Sequence, residues 1–82
     1  MTIRRQIKDV IDGDTFEVRN RIQGTNRIRI AGRNSPEKGE RGYQYAKNKM
    51  EQLIGETVTL IPKARSYGRL VAEVRHNRRK IR

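Results

Sequence analysis

The chain contains no cysteine, no tryptophan and a single phenylalanine. Without cysteine, disulfides, thiolate metal sites and cysteine nucleophiles are excluded, and the redox compartment stays open. Hydrophobic residues make up only 33% of the 82 positions, so we expect one small domain, residues 1–82, with a small core. A core this limited predicts marginal stability, or stabilisation by a ligand, a metal or self-association.

Acidic residues are scarce beside basic ones. The chain has 9 Asp and Glu against 20 Lys and Arg, a formal net charge of +11. This excess favours a polyanionic partner, with nucleic acid (single-stranded DNA or RNA) ahead of an anionic membrane surface. No apolar run approaches spanning length, and no segment pairs a basic face with a large apolar one, so no membrane partner is expected. The alternative is that the charge only aids solubility.

The N-terminal segment, residues 1–8, is charged and has no apolar stretch. It therefore does not read as a signal peptide. A cytoplasmic location and secretion after removal of a leader both remain open.

The hydrophobic pattern predicts the order β-β-β-α-β-β. Alternation in residues 27–31 places Ile28 and Ile30 on one face and Arg29 on the other. A mainly β domain of this order with one helix suits a small five-stranded Greek-key barrel of the OB-fold type. The basic tail, residues 78–82, is expected to be a short strand, a nucleic-acid-binding arm or disordered. The predicted strands cover residues 3–11, 15–19, 27–31, 57–61 and 68–75, and the predicted helix covers 43–54 with Gly55 as its C-terminal cap.

The segment Asp12-Gly13-Asp14 lies between the first two predicted strands. Asp-Gly is typical of a hairpin turn, because glycine accepts a positive φ without steric cost. Such a turn would put Asp14 at the start of the second strand, where its carboxylate can face a ligand. Taken alone, the segment is only a turn.

Further polar residues follow in an order that phosphate chemistry would use. An arginine lies on the third strand, a Ser-Pro-Glu segment follows in the next loop, and a Tyr-Gly-Arg run opens the last long strand. Hydrolysis of a phosphodiester needs a cation held by oxygen ligands, a carboxylate that activates water, and guanidinium groups that neutralise the phosphate.

In these pieces the chain resembles the staphylococcal nuclease (thermonuclease) family. The resemblance runs from about residue 3 to residue 74, and its pieces occur in family order. They are residues 10–18 (VIDGDTFEV), 27–32 (RIRIAG), 35–37 (SPE), the helix around 43–53 with Ala46, and 67–72 (YGRLVA).

The resemblance implies an OB-fold barrel and a calcium-dependent endonuclease that acts on DNA and RNA. By position, the implied roles are Asp14 as a metal ligand, Ser35 as a metal ligand through its backbone carbonyl, Glu37 as the group that activates water, Arg29 and Arg69 as phosphate-binding catalytic residues, and Tyr67 as lining of the nucleotide pocket.

The chain departs from the family pattern in three places. Asn34 stands where the family usually has a second metal carboxylate, so the single Ca²⁺ ion is expected to bind weakly and activity to be impaired. Arg65 precedes Ser66 where an acidic residue is common, which predicts an altered grip on nucleic acid. The chain also ends before the C-terminal helices usual in the family, which raises the expectation of self-association. Further contacts to nucleic acid are expected from the tail residues Arg78, Arg79 and Lys80.

Two other classes of function stay open. Asn34 and the basic tail favour a non-catalytic nucleic-acid-binding module of the same fold. A small basic structural protein, such as a ribosomal component, would explain the charge but not the ordered acidic and arginine residues.

Overall fold

The computed structural model of the chain describes residues 2–77 and 79–81. Within them the protein is mainly β, with one helix. The elements are β1 (Ile3–Asp12), β2 (Thr15–Ile22), β3 (Thr25–Ile30), α1 (Tyr43–Glu51), β4 (Thr57–Ser66), β5 (Arg69–His76) and β6 (Arg79–Ile81).

The strands close into a small barrel. Neighbouring strands pair antiparallel in the order β3-β2-β1-β4-β5-β6, and a parallel pairing of β3 with β5 joins the ends. Because β3 pairs with the first half of β5, the second half is left for β6. The result is a closed five-stranded, OB-like barrel with one helix, which confirms the predicted fold class.

Period-two alternation builds the interior, as the sequence predicts. On β3, Ile28 and Ile30 are fully buried, whereas the Arg29 side chain between them keeps 29% of its surface exposed. Helix α1 adds Met50 to the barrel interior. The buried cluster consists of Ile7, Val10, Phe16, Val18, Ile22, Ile28, Ile30, Met50, Val58, Leu60, Leu70, Ala72 and Val74.

Helix α1 ends earlier than predicted. Beyond Glu51 the chain tightens into turns, in which the Leu53 and Ile54 amides donate to carbonyls three residues back. The prediction extended the helix to residue 54 because the apolar residues keep helical spacing that far. Leu53 does pack against the core, although it lies in a turn. Gly55, expected as the helix cap, instead has a φ of 91° and donates its N–H to the carbonyl of Ile7.

Three strands differ from their predicted bounds by more than one residue. β2 continues to Ile22 and β3 begins at Thr25, because Ile22 pairs with Thr25 across the turn. β4 continues through Pro62 to Ser66, because the pairing with β5 shifts register between Pro62 and Ala64 and tolerates the missing proline N–H. In the tail, Arg79–Ile81 form the short strand β6, one of the alternatives expected for this segment. Nowhere in 2–77 and 79–81 is there a helix both long and apolar enough to cross a membrane.

Candidate functional site

One pocket brings together five of the eleven site residues that the sequence predicts. It lies where the β1–β2 turn, β3, the loop after β3 and the start of β5 meet, and its volume is about 340 Å³. Its three acidic and three basic side chains balance in formal charge. The lining residues are Asp12, Asp14, Arg29, Ser35, Pro36, Glu37, Lys38 and Arg69.

The Arg29 guanidinium joins two of the predicted metal ligands. Its Nη2 lies 3.7 Å from Asp14 Oδ2 and donates a hydrogen bond to Asn34 Oδ1 at 3.2 Å. The register of β2 and β3 produces this proximity, because Arg29 pairs with Thr15, the residue after Asp14. The Asp14 side chain is only 15% exposed. The three groups therefore form one hydrogen-bonded and ion-paired unit at the pocket wall.

Arg69 reaches the same unit from β5. Its Nη1 lies 3.4 Å from Thr15 Oγ1, a long hydrogen bond, and the Thr15 hydroxyl donates to Asp14 Oδ1 at 3.1 Å. Thr15 is buried, so it fixes the position of both neighbours. Two guanidinium groups from different strands thus face one pocket, which is the arrangement needed to bind the oxygens of a phosphate.

Glu37 enters the pocket from the loop that precedes α1. Its backbone N–H donates to Glu40 Oε1 at 2.6 Å, and its carbonyl accepts the Glu40 N–H at 2.8 Å. These bonds fix the backbone, whereas the Glu37 carboxylate has no hydrogen-bond or ionic partner in 2–77 and 79–81. A solvated, unpaired carboxylate of this kind is free to accept a proton from water.

Asp12 lies on the other side of the β1–β2 turn and is tied to the helix. Tyr43, the first residue of α1, donates its hydroxyl to Asp12 Oδ1 at 3.0 Å. This hydrogen bond to an anion, reinforced by desolvation and by the charge of Asp12, raises the pKa of Tyr43 above its usual 10.0. The hydrogen bond ties Asp12 to the start of α1.

Gly13 lies in the predicted hairpin turn between β1 and β2, but glycine is needed there for a different reason. Its backbone does not adopt a positive φ, so the expectation of a left-handed turn glycine was wrong. A Cβ at this position would lie 2.7 Å from the Cβ of Ala46 and 2.9 Å from that of Ser35. The residue must be glycine because the turn packs directly against α1 and the loop. Asp14, expected at the strand start, lies one residue before β2.

Several predicted residues lie outside this pocket. Asn34 borders a neighbouring recess, which shares Ser35 and Pro36 with the pocket, and its side chain accepts a hydrogen bond from Arg29 of the pocket. Tyr67 is 94% exposed at the β4–β5 turn, and the Nη1 of Arg65 donates to the carbonyl of Gln23. Arg79 and Lys80 lie on β6. Arg78 lies outside the described residues.

The oxygen donors of the pocket suit a hard cation such as Ca²⁺. Asp12 and Asp14 carry carboxylates, and Ser35 carries a hydroxyl and a backbone carbonyl, which are the ligand types that Ca²⁺ prefers. Across the described part of the chain, however, no three His, Asp or Glu side chains come close enough to hold a metal ion. A cation here would therefore complete its ligand set with carbonyl oxygens and water.

Four residues at the site have no role predicted from the sequence. Asp12, Thr15 and Tyr43 support Asp14 and the pocket wall, and Lys38 adds a cation. Asp12 has a signal in the sequence, since it flanks the same glycine as Asp14. Tyr43 and Lys38 have none, because only the tertiary packing brings the helix start and the loop to the turn.

Comparison with known proteins adds no relative at the level of sequence. The chain matches no protein-family model, and a search of the curated proteins finds none that matches it.

Proposed function

We propose that this protein is a metal-dependent nuclease that hydrolyses phosphodiester bonds in DNA or RNA, as its resemblance to the staphylococcal nuclease family suggests. The observation that carries the proposal is the convergence of Asp14, Arg29, Glu37 and Arg69 from four separate segments on one pocket. These groups supply a cation ligand, two phosphate-binding cations and a general base, the parts that the reaction requires.

In this proposal the two arginines bind and orient the scissile phosphate. Arg29 and Arg69 donate to its non-bridging oxygens and offset the negative charge that develops in the transition state. Glu37 accepts a proton from the attacking water, whose oxygen forms the new bond to phosphorus while the ester P–O bond breaks. The leaving oxygen then takes a proton from solvent.

The proposed cation is Ca²⁺, held by Asp14, Ser35 and Asp12 on the pocket wall. When bound, Ca²⁺ supplies positive charge next to the phosphate and polarises it. Asn34 provides a neutral carbonyl oxygen in place of a carboxylate, and that oxygen already accepts a bond from Arg29. Both facts argue for weak binding of the ion and for low turnover.

A second candidate function is a nucleic-acid-binding module without catalysis. The observation that favours it is the pairing of Arg29 with Asp14 and Asn34, which engages one phosphate-binding group and one metal ligand with each other. Such a module would still attract a nucleic acid, because the chain carries a formal charge of +11.

Incubation of the protein with labelled single-stranded DNA and Ca²⁺, with and without a chelator, separates the two functions. Cleavage that the chelator abolishes supports the nuclease. Binding of the same strand without cleavage, at any Ca²⁺ concentration, supports the module and contradicts the proposal.

A further inference from the structure

A second concave surface lies on the outer side of the β1–β2 hairpin, away from the candidate pocket. Its volume is about 490 Å³, and we call it the basic recess. Its wall carries three basic side chains and two asparagine amides over the backbone of a buried valine, and no carboxylate lines it. The lining residues are Lys8, Val18, Arg19, Asn20, Arg21 and Asn26.

Two irregularities in the strand pairing build the basic recess. On β1, Ile7 pairs with Val18 and Asp9 pairs with Glu17. The chain therefore advances two residues on β1 but only one on β2, which leaves Lys8 as the bulged residue. Bulges bend a strand and re-aim the side chains that they carry.

The second bulge lies on β2. Glu17 pairs with Arg27, and Ile22 pairs with Thr25. Between these two pairs the chain advances five residues on β2 but only two on β3. Asn20, at the centre of this bulge, has a φ of 66°, a conformation that asparagine tolerates better than most residues. The bulge lifts Arg19 and Arg21 out of regular pairing, next to Lys8.

The three cations of the basic recess are unneutralised. Lys8, Arg19 and Arg21 are exposed, and none has an ion pair or a side-chain hydrogen bond in 2–77 and 79–81. Asp9, next to Lys8 in sequence, and Glu17, two residues before Arg19, make other contacts. Asp9 accepts a hydrogen bond from the Val10 N–H, and Glu17 lies 4.0 Å from Arg27. Because no carboxylate neutralises them, the three cations repel one another. A bound polyanion would offset this repulsion.

We infer that the basic recess binds the phosphate backbone of a single-stranded nucleic acid whose scissile bond lies in the candidate pocket. This inference rests on the proposed function. Arg19 lies five residues beyond Asp14 of the pocket, so the two are separated by at most roughly 17 Å along β2. One strand of a few nucleotides spans that distance, so both surfaces engage the same molecule.

The chemistry of the basic recess favours a nucleic acid over a lipid surface. The exposed large hydrophobic side chains of the described chain are Tyr45, Ile54 and Tyr67, and none of them lines it. The affinity of a protein for a membrane surface depends strongly on apolar side chains that insert into the lipid, and no such side chain lines this recess. Two asparagine amides beside the cations provide hydrogen bonds to sugar and phosphate oxygens instead.

The test measures binding of the full chain to a single-stranded oligonucleotide of roughly 20 nucleotides, longer than the roughly 4–16 nucleotides that one OB fold covers. A chelator is present so that no cleavage interferes. The variant K8Q/R19Q/R21Q removes the three charges of the basic recess. The control R4Q/K49Q/K63Q removes three charges from exposed side chains on β1, α1 and β4, so both variants have the same net charge.

The recess variant is expected to lose affinity by about tenfold or more, and its slope of log affinity against log salt to fall by about 2, since each phosphate contact on a single strand contributes about 0.7. The control is expected to change both quantities much less. Equal losses in the two variants would overturn the inference, because net charge rather than the recess would then govern binding.

Two further arms complete the test. The charge-retaining variant K8R/R19K/R21K is expected to bind like the unaltered chain, and loss of binding in it would contradict an electrostatic role. Vesicles containing phosphatidylserine are expected not to distinguish the recess variant from the control. A loss confined to vesicle binding, with oligonucleotide binding unchanged, would overturn the inference in favour of a membrane.

A failure of the proposed nuclease function can be distinguished from a failure of the inference about the basic recess. Absence of Ca²⁺-dependent cleavage by the unaltered chain contradicts the nuclease, whereas the comparison of oligonucleotide binding, made without Ca²⁺, decides the basic recess.

Discussion

The Arg29 Nη2 atom lies between Asp14 and Asn34, 3.7 Å from the carboxylate oxygen of the first and 3.2 Å from the amide oxygen of the second. One guanidinium therefore interacts with a charged and a neutral oxygen of the proposed cation site. In the proposed site, the charge of residue 34 would determine how strongly Arg29 and a cation compete for these oxygens.

Restoring a carboxylate at residue 34 tests this point. The Asn34→Asp variant is expected to bind Ca²⁺ more tightly, on the order of tenfold, because Ca²⁺ affinity rises with the number of charged ligands. Calorimetric titration of Ca²⁺ into both proteins measures the difference. Equal affinities would show that residue 34 does not contribute to a cation site.

Removal of the Arg69 side chain is expected to reduce turnover more than substrate binding. The Arg69→Ala variant should lower kcat by about 10²–10³-fold, because it deletes a donor aimed at charge that develops in the transition state. Single-turnover cleavage of labelled DNA measures the change. The matched control is Lys63→Ala, an exposed cation on β4, which should leave kcat unaltered. A similar loss in both would assign the effect to net charge.

A side chain at position 13 should destabilise the fold. The Gly13→Ala variant is expected to lose about 1–3 kcal/mol of the free energy of unfolding, because its Cβ would collide with Ala46 and Ser35. Denaturant unfolding measures this loss. In a double-mutant cycle, Ala46→Gly removes one of the two collisions, so the double variant should be more stable than the two single losses predict. Strict additivity would show that the close approach to Ala46 is unimportant.

The stability of the β5–β6 pair should depend on pH through Glu73. Its carboxylate accepts a hydrogen bond from Arg75 and contacts Lys80 at 3.2 Å, and these contacts lower the pKa of Glu73 below its usual 4.5. Because the folded-state pKa is depressed, this contribution is present above about pH 4.5 and is lost as the pH falls through the folded-state value.

The Glu73→Gln variant checks this dependence. Its Tm should fall less than that of the unaltered chain when the pH is lowered through this range, and it should be lower at neutral pH. Thermal unfolding followed by circular dichroism at a series of pH values gives both quantities. Parallel curves for the two proteins would show that Glu73 does not couple folding to protonation.

The alternation of apolar and polar residues allowed the barrel and the outward position of Arg29 to be predicted from the sequence. The prediction was possible because each strand buries one of its two faces, and an apolar residue at every second position identifies the buried face. Five residues assigned from the family resemblance also lie together in the pocket, Asp14, Arg29, Ser35, Glu37 and Arg69, and their roles stay predictions. These features depend on local pattern and on chain order.

Other features depend on partners distant in the chain and were missed or misread. Gly13 does lie in the predicted hairpin turn, but the reason for glycine there is the close approach of Ala46 and Ser35, which only the folded chain brings near. The bulges at Lys8 and Asn20 arise from mismatched registers between neighbouring strands. Neither strand reveals such a mismatch on its own.

The central claim is that the pocket around Asp14 and Glu37 hydrolyses phosphodiester bonds, and cleavage by a Glu37→Gln variant tests it most directly. The substitution keeps the shape of the side chain, and the Glu37 carboxylate has no partner in the described chain, so the fold should be retained. Cleavage of single-stranded DNA in Ca²⁺ is compared with that of Glu51→Gln, an exposed helix position. We predict that Glu37→Gln binds DNA normally but cleaves it at least about 10²-fold more slowly, whereas Glu51→Gln cleaves like the unaltered chain. Equal cleavage by all three proteins, or none by any of them, would contradict the account.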